Sequence, residues 1–128
     1  MRLLLDTHVL LWALTNAPRL RPAARALILD EANALHFSAV SIAEISVKYA
    51  LRRPDFLFDP QEVRHELLDN GYSELALTGL HAEAVGGLPA IHRDPFDRLL
   101  VAQAIAEGMT LLTGDAMVAR YPGAIRLV

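Results

Sequence analysis

A chain of 128 residues with 53% hydrophobic and 21% charged side chains is enough for one globular domain, residues 1–128, and excludes both a disordered chain and a two-domain enzyme. Its formal net charge of −3 excludes a protein held to nucleic acid by bulk positive charge, so contact with a polyanion needs a local patch. The absence of cysteine removes disulfides, thiolate nucleophiles and cysteine–zinc sites, and suits a reducing cytoplasm.

No apolar run approaches the roughly 20 residues of a membrane span. Met1 leads directly into "RLLLD" rather than a basic-then-apolar leader. "LLL" at 3–5 reads as a buried strand ending at Asp6, and "THVLLWALT" turns helical. "PRLRP" breaks the chain before a helix at 22–32, and "ALHFS" at 34–38 is a second strand. The next helix covers 41–53 until Pro54 and "DFLFDP" stop it, and another at 60–69 closes at Asn70-Gly71. "YSELAL" is a third strand and "GLHAEAV" a short helix ending at Gly86-Gly87. A helix at 95–107 follows, with Gly108 past its end. "TLLT" at 110–113 is a fourth strand, "DAMVARY" a short helix and "AIRLV" the last strand.

Apolar strands separated by helices of about ten residues predict a three-layer α/β/α domain around a mostly parallel five-stranded sheet. In such sheets the functional crevice lies beyond the carboxyl ends of the strands. Acids collect there: Asp6 follows the first strand, Glu44 lies early in the helix after the second, Asp115 follows the fourth, and Asp94 and Asp97 head the 95–107 helix. Each has a capping explanation. "SIAE" at 41–44 and "DPFD" at 94–97 have the shape of capping boxes, and Asp6 and Asp115 each precede a helix. Two acids strain that explanation. Asp97 falls on the apolar face with Leu100, Val101, Ala104 and Ile105, where an unpaired charge is expensive, and Asp6 ends the strand expected at the centre. Glu44 also has Lys48 at i+4, the spacing of an ordinary surface pair. If Asp6, Glu44, Asp97 and Asp115 converge, they need a cation, and oxygen-only ligation favours Mg²⁺ or Mn²⁺ and phosphoryl chemistry.

Four segments carry a resemblance: "LLLDTHVLLW", "SAVSIAEISVK" at 38–48, "HRDPFDRLLVAQA" at 92–104 and "LLTGD" at 111–115. In this order and spacing the chain resembles, over essentially its whole length, PIN-domain endoribonucleases and among them VapC-type toxins. The resemblance implies an acidic pocket binding one or two Mg²⁺ or Mn²⁺ ions through Asp6, Glu44, Asp97 and Asp115. Asp6 and Asp97 would hold the metal, Asp115 complete or support the shell, and Glu44 orient water or a second ion. Thr113 matches the small hydroxyl residue beside the last acid, and Asp94 is placed behind the ligands as the helix cap. It further implies hydrolysis of RNA to a 5′-phosphate and a 3′-hydroxyl, with tRNA, ribosomal RNA or mRNA as substrate. A cognate antitoxin and a homodimer are the implied protein partners.

His8 and His92 flank the acids; His92 is expected to brace the loop before Asp94, and Trp12 to pack in the core. Arg93, Arg98 and Lys48 are the cations placed to touch RNA, with Arg52-Arg53 further off. The helices at 22–32 and 41–52, with "DFLFDP", are expected to form the groove for an antitoxin helix. The competing readings are a Mg²⁺-dependent phosphatase-like or receiver-like domain and a non-catalytic interaction domain. A receiver requires a phosphoacceptor aspartate after its third strand, where this chain has Thr78-Gly79, and a D-x-D phosphatase requires a second acid where "DTH" has none. In the non-catalytic domain every acid is a cap.

Overall fold

The computed structural model describes residues Met1–Val128. The strand "RLLL" becomes β1 (Arg2–Leu5), the centre of a five-stranded sheet in the order β3-β2-β1-β4-β5, with β2 (Ala34–Ser38), β3 (Ser73–Leu75), β4 (Thr110–Thr113) and β5 (Ile125–Leu127). All four pairings are parallel, so the expected mostly parallel sheet is wholly parallel. Six helices cover it: α1 (Thr7–Thr15), α2 (Pro22–Leu29), α3 (Ala39–Ala50), α4 (Pro60–Asp69), α5 (Gly79–Ala84) and α6 (Pro95–Glu107).

Alternation along β1 divides the core in two, because successive strand residues face opposite ways. Leu3 and Leu5 join Val9, Leu10, Ile45 and Leu67 on one side. Leu4 joins Leu100, Val101, Ala104 and Leu111 on the other. Double burial therefore explains why β1 is apolar at every inner position. The edge strands β3 and β5 are largely exposed and only three residues long, which is why "YSELAL" yields a shorter strand than its composition suggests.

Chain order runs outward from β1 to β2 and β3, then returns across the sheet to β4 and β5. The reversal falls between β1 and β4, the topological switch point at which open α/β sheets form crevices. Asp6 leaves one of these strands, and Thr113 and Asp115 leave the other.

Several boundaries differ from expectation for local reasons. α2 ends at Leu29 because Asp30 takes an extended conformation. α3 begins directly from β2, capped by Ser38, whose Oγ accepts from the Val40 amide at 3.0 Å. Ser41 is thus inside the helix, and the capping box read in "SIAE" is absent. Residues 115–121 make only a 3-10 turn at Val118–Arg120. α6 has its expected limits, from Asp94 as N-cap to Gly108 with φ 65°. No helix is long and apolar enough to cross a membrane.

Candidate active site

The acids at the switch point are held by backbone and hydroxyl donors that the elements themselves supply. Asp6 caps α1, its Oδ1 accepting from the Val9 amide at 2.9 Å. Its Oδ2 accepts from Thr113 Oγ1 at 2.5 Å, while that same Thr113 oxygen accepts from the Asp115 amide at 3.0 Å. Thr113 therefore joins the ends of β1 and β4 and sets the spacing between two acids. Asp115 Oδ1 accepts from the Met117 amide at 2.8 Å. Asp94 caps α6 by accepting from the Phe96 amide at 2.9 Å, as the sequence suggested.

Glu44 is not half of a surface pair. It is 2% exposed, Oε1 accepts from Thr7 Oγ1 at 2.7 Å and Oε2 from Lys48 Nζ at 2.7 Å. Ser41 Oγ lies 3.0 Å from the same Thr7 hydroxyl. Thr7 and Ser41 are site residues that sequence reasoning passed over; their signal was a hydroxyl directly after Asp6 and another one turn before Glu44. Lys48 is committed to Glu44 rather than free at the rim.

Asp97 is the exception among the acids. No backbone amide caps it, and its one polar contact is His92 Nε2, 3.4 Å from Oδ2. Burial, then the negative charges of Asp94, Glu44 and Asp6, push its pKa up to about 7, against a smaller opposing effect of His92. Burial also raises Asp6 despite its hydrogen bonds from Thr113 and the backbone. Partial burial acts on Asp115 in the same sense, but its bonds from the Met117 amide and from His92 outweigh it and leave its pKa below the ordinary carboxylate value. Asp6, Glu44, Asp94 and Asp97 thus share one electrostatic environment, and Asp115 joins it through His92. Asp97 lies with Leu100, Val101 and Ala104 as expected, whereas Ile105, placed on the same face by the helical wheel, is exposed. It packs beside Gly123 instead.

His92 does more than brace a loop. Nδ1 accepts from the Asp94 amide at 3.0 Å, and Nε2 lies 3.0 Å from Asp115 Oδ2 as well as near Asp97. Ligand atoms of His92, Asp97 and Asp115 fall within 4.8 Å of one another, a spacing compatible with a metal. The amide facing Nδ1 decides the ring's role, because a neutral imidazole with one nitrogen accepting carries its proton on the other. Nε2 is then a donor between two carboxylates and not a lone pair for an ion. The oxygens that remain fit a hard divalent cation: a surplus of carboxylates and no sulfur.

Arg98, expected among the RNA-contacting cations, is engaged within the fold. Its guanidinium donates to the carbonyls of Pro89 (2.9 Å) and Val85 (3.1 Å) and to Tyr121 Oη (3.0 Å). Tyr121 Oη in turn accepts from the His92 amide at 2.7 Å. Arg98 and Tyr121 are therefore clamps on the segment that presents His92 and Asp94. Arg93 is exposed beside them. Trp12, expected in the core, is only half-buried: it touches the larger apolar cluster and borders an open cleft.

The PIN domain family model matches residues 3–124. Solved structures with the same fold include VapBC2 from Rickettsia felis bound to a DNA fragment from its promoter (TM-score 0.72, 17% identity, 99% of this chain and 98% of that one). DNA-bound VapBC from Salmonella typhimurium aligns with TM-score 0.66 and 16% identity over 100% and 97% of the two chains. FitAcB from Neisseria gonorrhoeae aligns with TM-score 0.60 and 20% identity over 96% and 95%. No curated protein sequence matches.

Proposed function

The chain belongs to the PIN domain family, and from that premise we propose that it is a Mg²⁺- or Mn²⁺-dependent endoribonuclease, a VapC-type toxin silenced by a cognate antitoxin. One observation carries the reading: Asp97, uncapped and facing three other carboxylates, has a pKa of about 7. Acids that only cap helices do not press one another in this way, whereas acids awaiting a cation do.

Asp6 and Asp97 would hold the metal, with Asp115 completing the set. Glu44, whose oxygens already take Thr7 and Lys48, would orient water at its edge or face a second ion. A divalent ion bound there supplies Lewis-acid stabilisation of the phosphoryl oxygens and lowers the pKa of water. His92 Nε2–H fixes Asp97 and Asp115 relative to each other, and Thr113 does the same for Asp6 and Asp115. In the reaction a water oxygen bonds to phosphorus and the P–O3′ bond breaks. The 3′ oxygen takes up a proton, leaving a 3′-hydroxyl and a 5′-phosphate. Arg93, exposed beside the acids, is available to the RNA backbone.

The antitoxin is assigned to the groove beside the end of α3. There Tyr49, Arg52, Arg53, Pro54, Phe56 and Leu57 line a cavity of about 520 Å³, with Leu57 78% exposed. Such an apolar floor with a basic rim suits an amphipathic acidic helix. The protein is placed in the cytoplasm, as a single domain that pairs with a second copy.

The test is incubation of purified protein with total RNA, in Mg²⁺ and in EDTA, with the new ends mapped by sequencing. Cleavage in Mg²⁺ that leaves 5′-phosphates and is lost in EDTA and in Asp6→Ala is expected. Cleavage that survives EDTA rejects the metal mechanism, and unimpaired Asp6→Ala sinks the assignment of the acids.

A further inference from the structure

Against Asp115, and outside the residues given a role above, lies a cleft of about 500 Å³ bordered by His8, Trp12, Arg19, Arg21, Gly114 and Asp115. Its chemistry is opposite to that of the acid pocket it adjoins. Two arginines and a histidine gather here in a chain of net charge −3, and neither arginine is engaged by a carboxylate. The indole is fixed in place: a Cβ added at Gly114 would fall 2.6 Å from Trp12 Cη2, so the "TGD" turn needs glycine for the ring to sit against it. That contact ties the ring to the turn carrying Asp115. Arg19 Cζ stands 5.9 Å from the indole centroid, and the His8 ring is 6.2 Å from it at 42°.

We propose that this cleft is a nucleotide subsite of the same active site, in which an unpaired base flanking the scissile phosphate stacks on Trp12 while Arg19 and Arg21 hold the adjoining backbone. The proposal rests on the ribonuclease reading. An indole face takes any base, since every base has a π-face. A planar guanidinium both stacks and pairs with phosphate. Asp115 borders both the cleft and the acid cluster, so a strand seated on Trp12 is led to the acids. A base reaches such a platform only when it is unstacked, which makes single-stranded loops and bulges the substrate class.

Trp12 is the chain's single tryptophan, so its fluorescence reports on this cleft alone. An Asp97→Asn protein, which leaves RNA intact, is titrated in Mg²⁺ with a single-stranded oligoribonucleotide and with the same sequence in a blunt duplex. Quenching by the single strand and not by the duplex is expected. In cleavage assays Trp12→Ala raises KM roughly tenfold or more with a smaller change in kcat, and Trp12→Phe restores most of the loss. Arg19→Ala and Arg21→Ala each flatten the salt dependence of KM by roughly one counterion. Wild-type cleavage with no quenching, or a Trp12→Ala KM equal to that of the wild type, overturns the subsite and leaves the ribonuclease reading standing. Quenching by single strands in a protein that cleaves no RNA keeps the subsite and removes that reading. Quenching by an oligoglutamate peptide and not by RNA assigns the cleft to an acidic protein partner and overturns the proposal.

Discussion

Two polar clusters are buried in this domain, and they are built on opposite plans. Where the ends of β2 and β3 meet α5 and α6, Ser38 donates to Gln103 Oε1, and Gln103 Nε2 reaches the Ala76 carbonyl at 3.4 Å. His81 Nδ1 accepts from the Thr78 amide at 3.0 Å, and Nε2 meets Glu107 at 2.8 Å. Donors and acceptors match there, with no crowding of like charges. At the switch point between β1 and β4, carboxylates face carboxylates, and burial with its acidic neighbours drives Asp97 to a pKa of about 7. A matched cluster fixes the packing of two helices. A mismatched one carries a charge surplus that a bound cation would neutralise.

The largest effect that sharpens this contrast is on catalysis. Asp97→Asn should lower RNA cleavage by about 10²–10³-fold or more, read from initial rates, while circular dichroism shows an unchanged fold. The next test is metal-linked stability. Mg²⁺ at about 100 times its dissociation constant should add about 2.7 kcal/mol to wild-type unfolding, and Asp97→Asn should lose most of that gain. Equal melting curves with and without Mg²⁺ would erase the distinction between the clusters.

Gln103→Leu is the converse. It leaves Ser38 without its acceptor and should cost about 1–3 kcal/mol in chemical denaturation, with the Mg²⁺ increment intact. Next in size is the pH dependence of the metal-free protein. Asp97 has a folded pKa of about 7 against an ordinary 3.8, so folding favours its protonated form. That stability is fully present below pH 3.8 and lost as pH rises through 7. Asp6 shifts in the same direction. Without metal the melting temperature should therefore be a few degrees higher at pH 5.5 than at pH 8, and Asp97→Asn should flatten the difference. The smallest effect belongs to the exposed Arg64–Glu74 pair at 2.8 Å; Arg64→Ala should leave the melting temperature within error.

How much was legible in sequence varies with the range of the cause. Asp6 was visible because it directly follows β1, Asp115 because it lies two residues past β4, and Asp97 because it falls in the first turn of α6; Glu44, in the second turn of α3, is brought toward Asp97 only by the fold. Asp94 was legible as a cap because Asp-Pro at a helix start is a local signal. The Glu44–Lys48 pair expected from i, i+4 spacing forms, but that spacing says nothing of burial, and Glu44 proves to be buried. The clamp made by Arg98 was not legible because its partners, Val85, Pro89 and Tyr121, come from segments that only folding brings beside α6.

The amino-acid sequence by itself determined the alternation of apolar strands and helices, the limits of α4 and α6, and that Asp6 and Asp115 follow strands of the sheet. These follow from periodicity, capping and turn chemistry, all settled within a few residues. Tertiary structure decided which nitrogen of His92 bears a proton, that Thr113 bridges Asp6 and Asp115, and that Trp12 meets Gly114 at the rim of a basic cleft. Hydrogen-bond partners and local dielectric depend on distances between residues remote in the chain, and only the packed fold sets those distances.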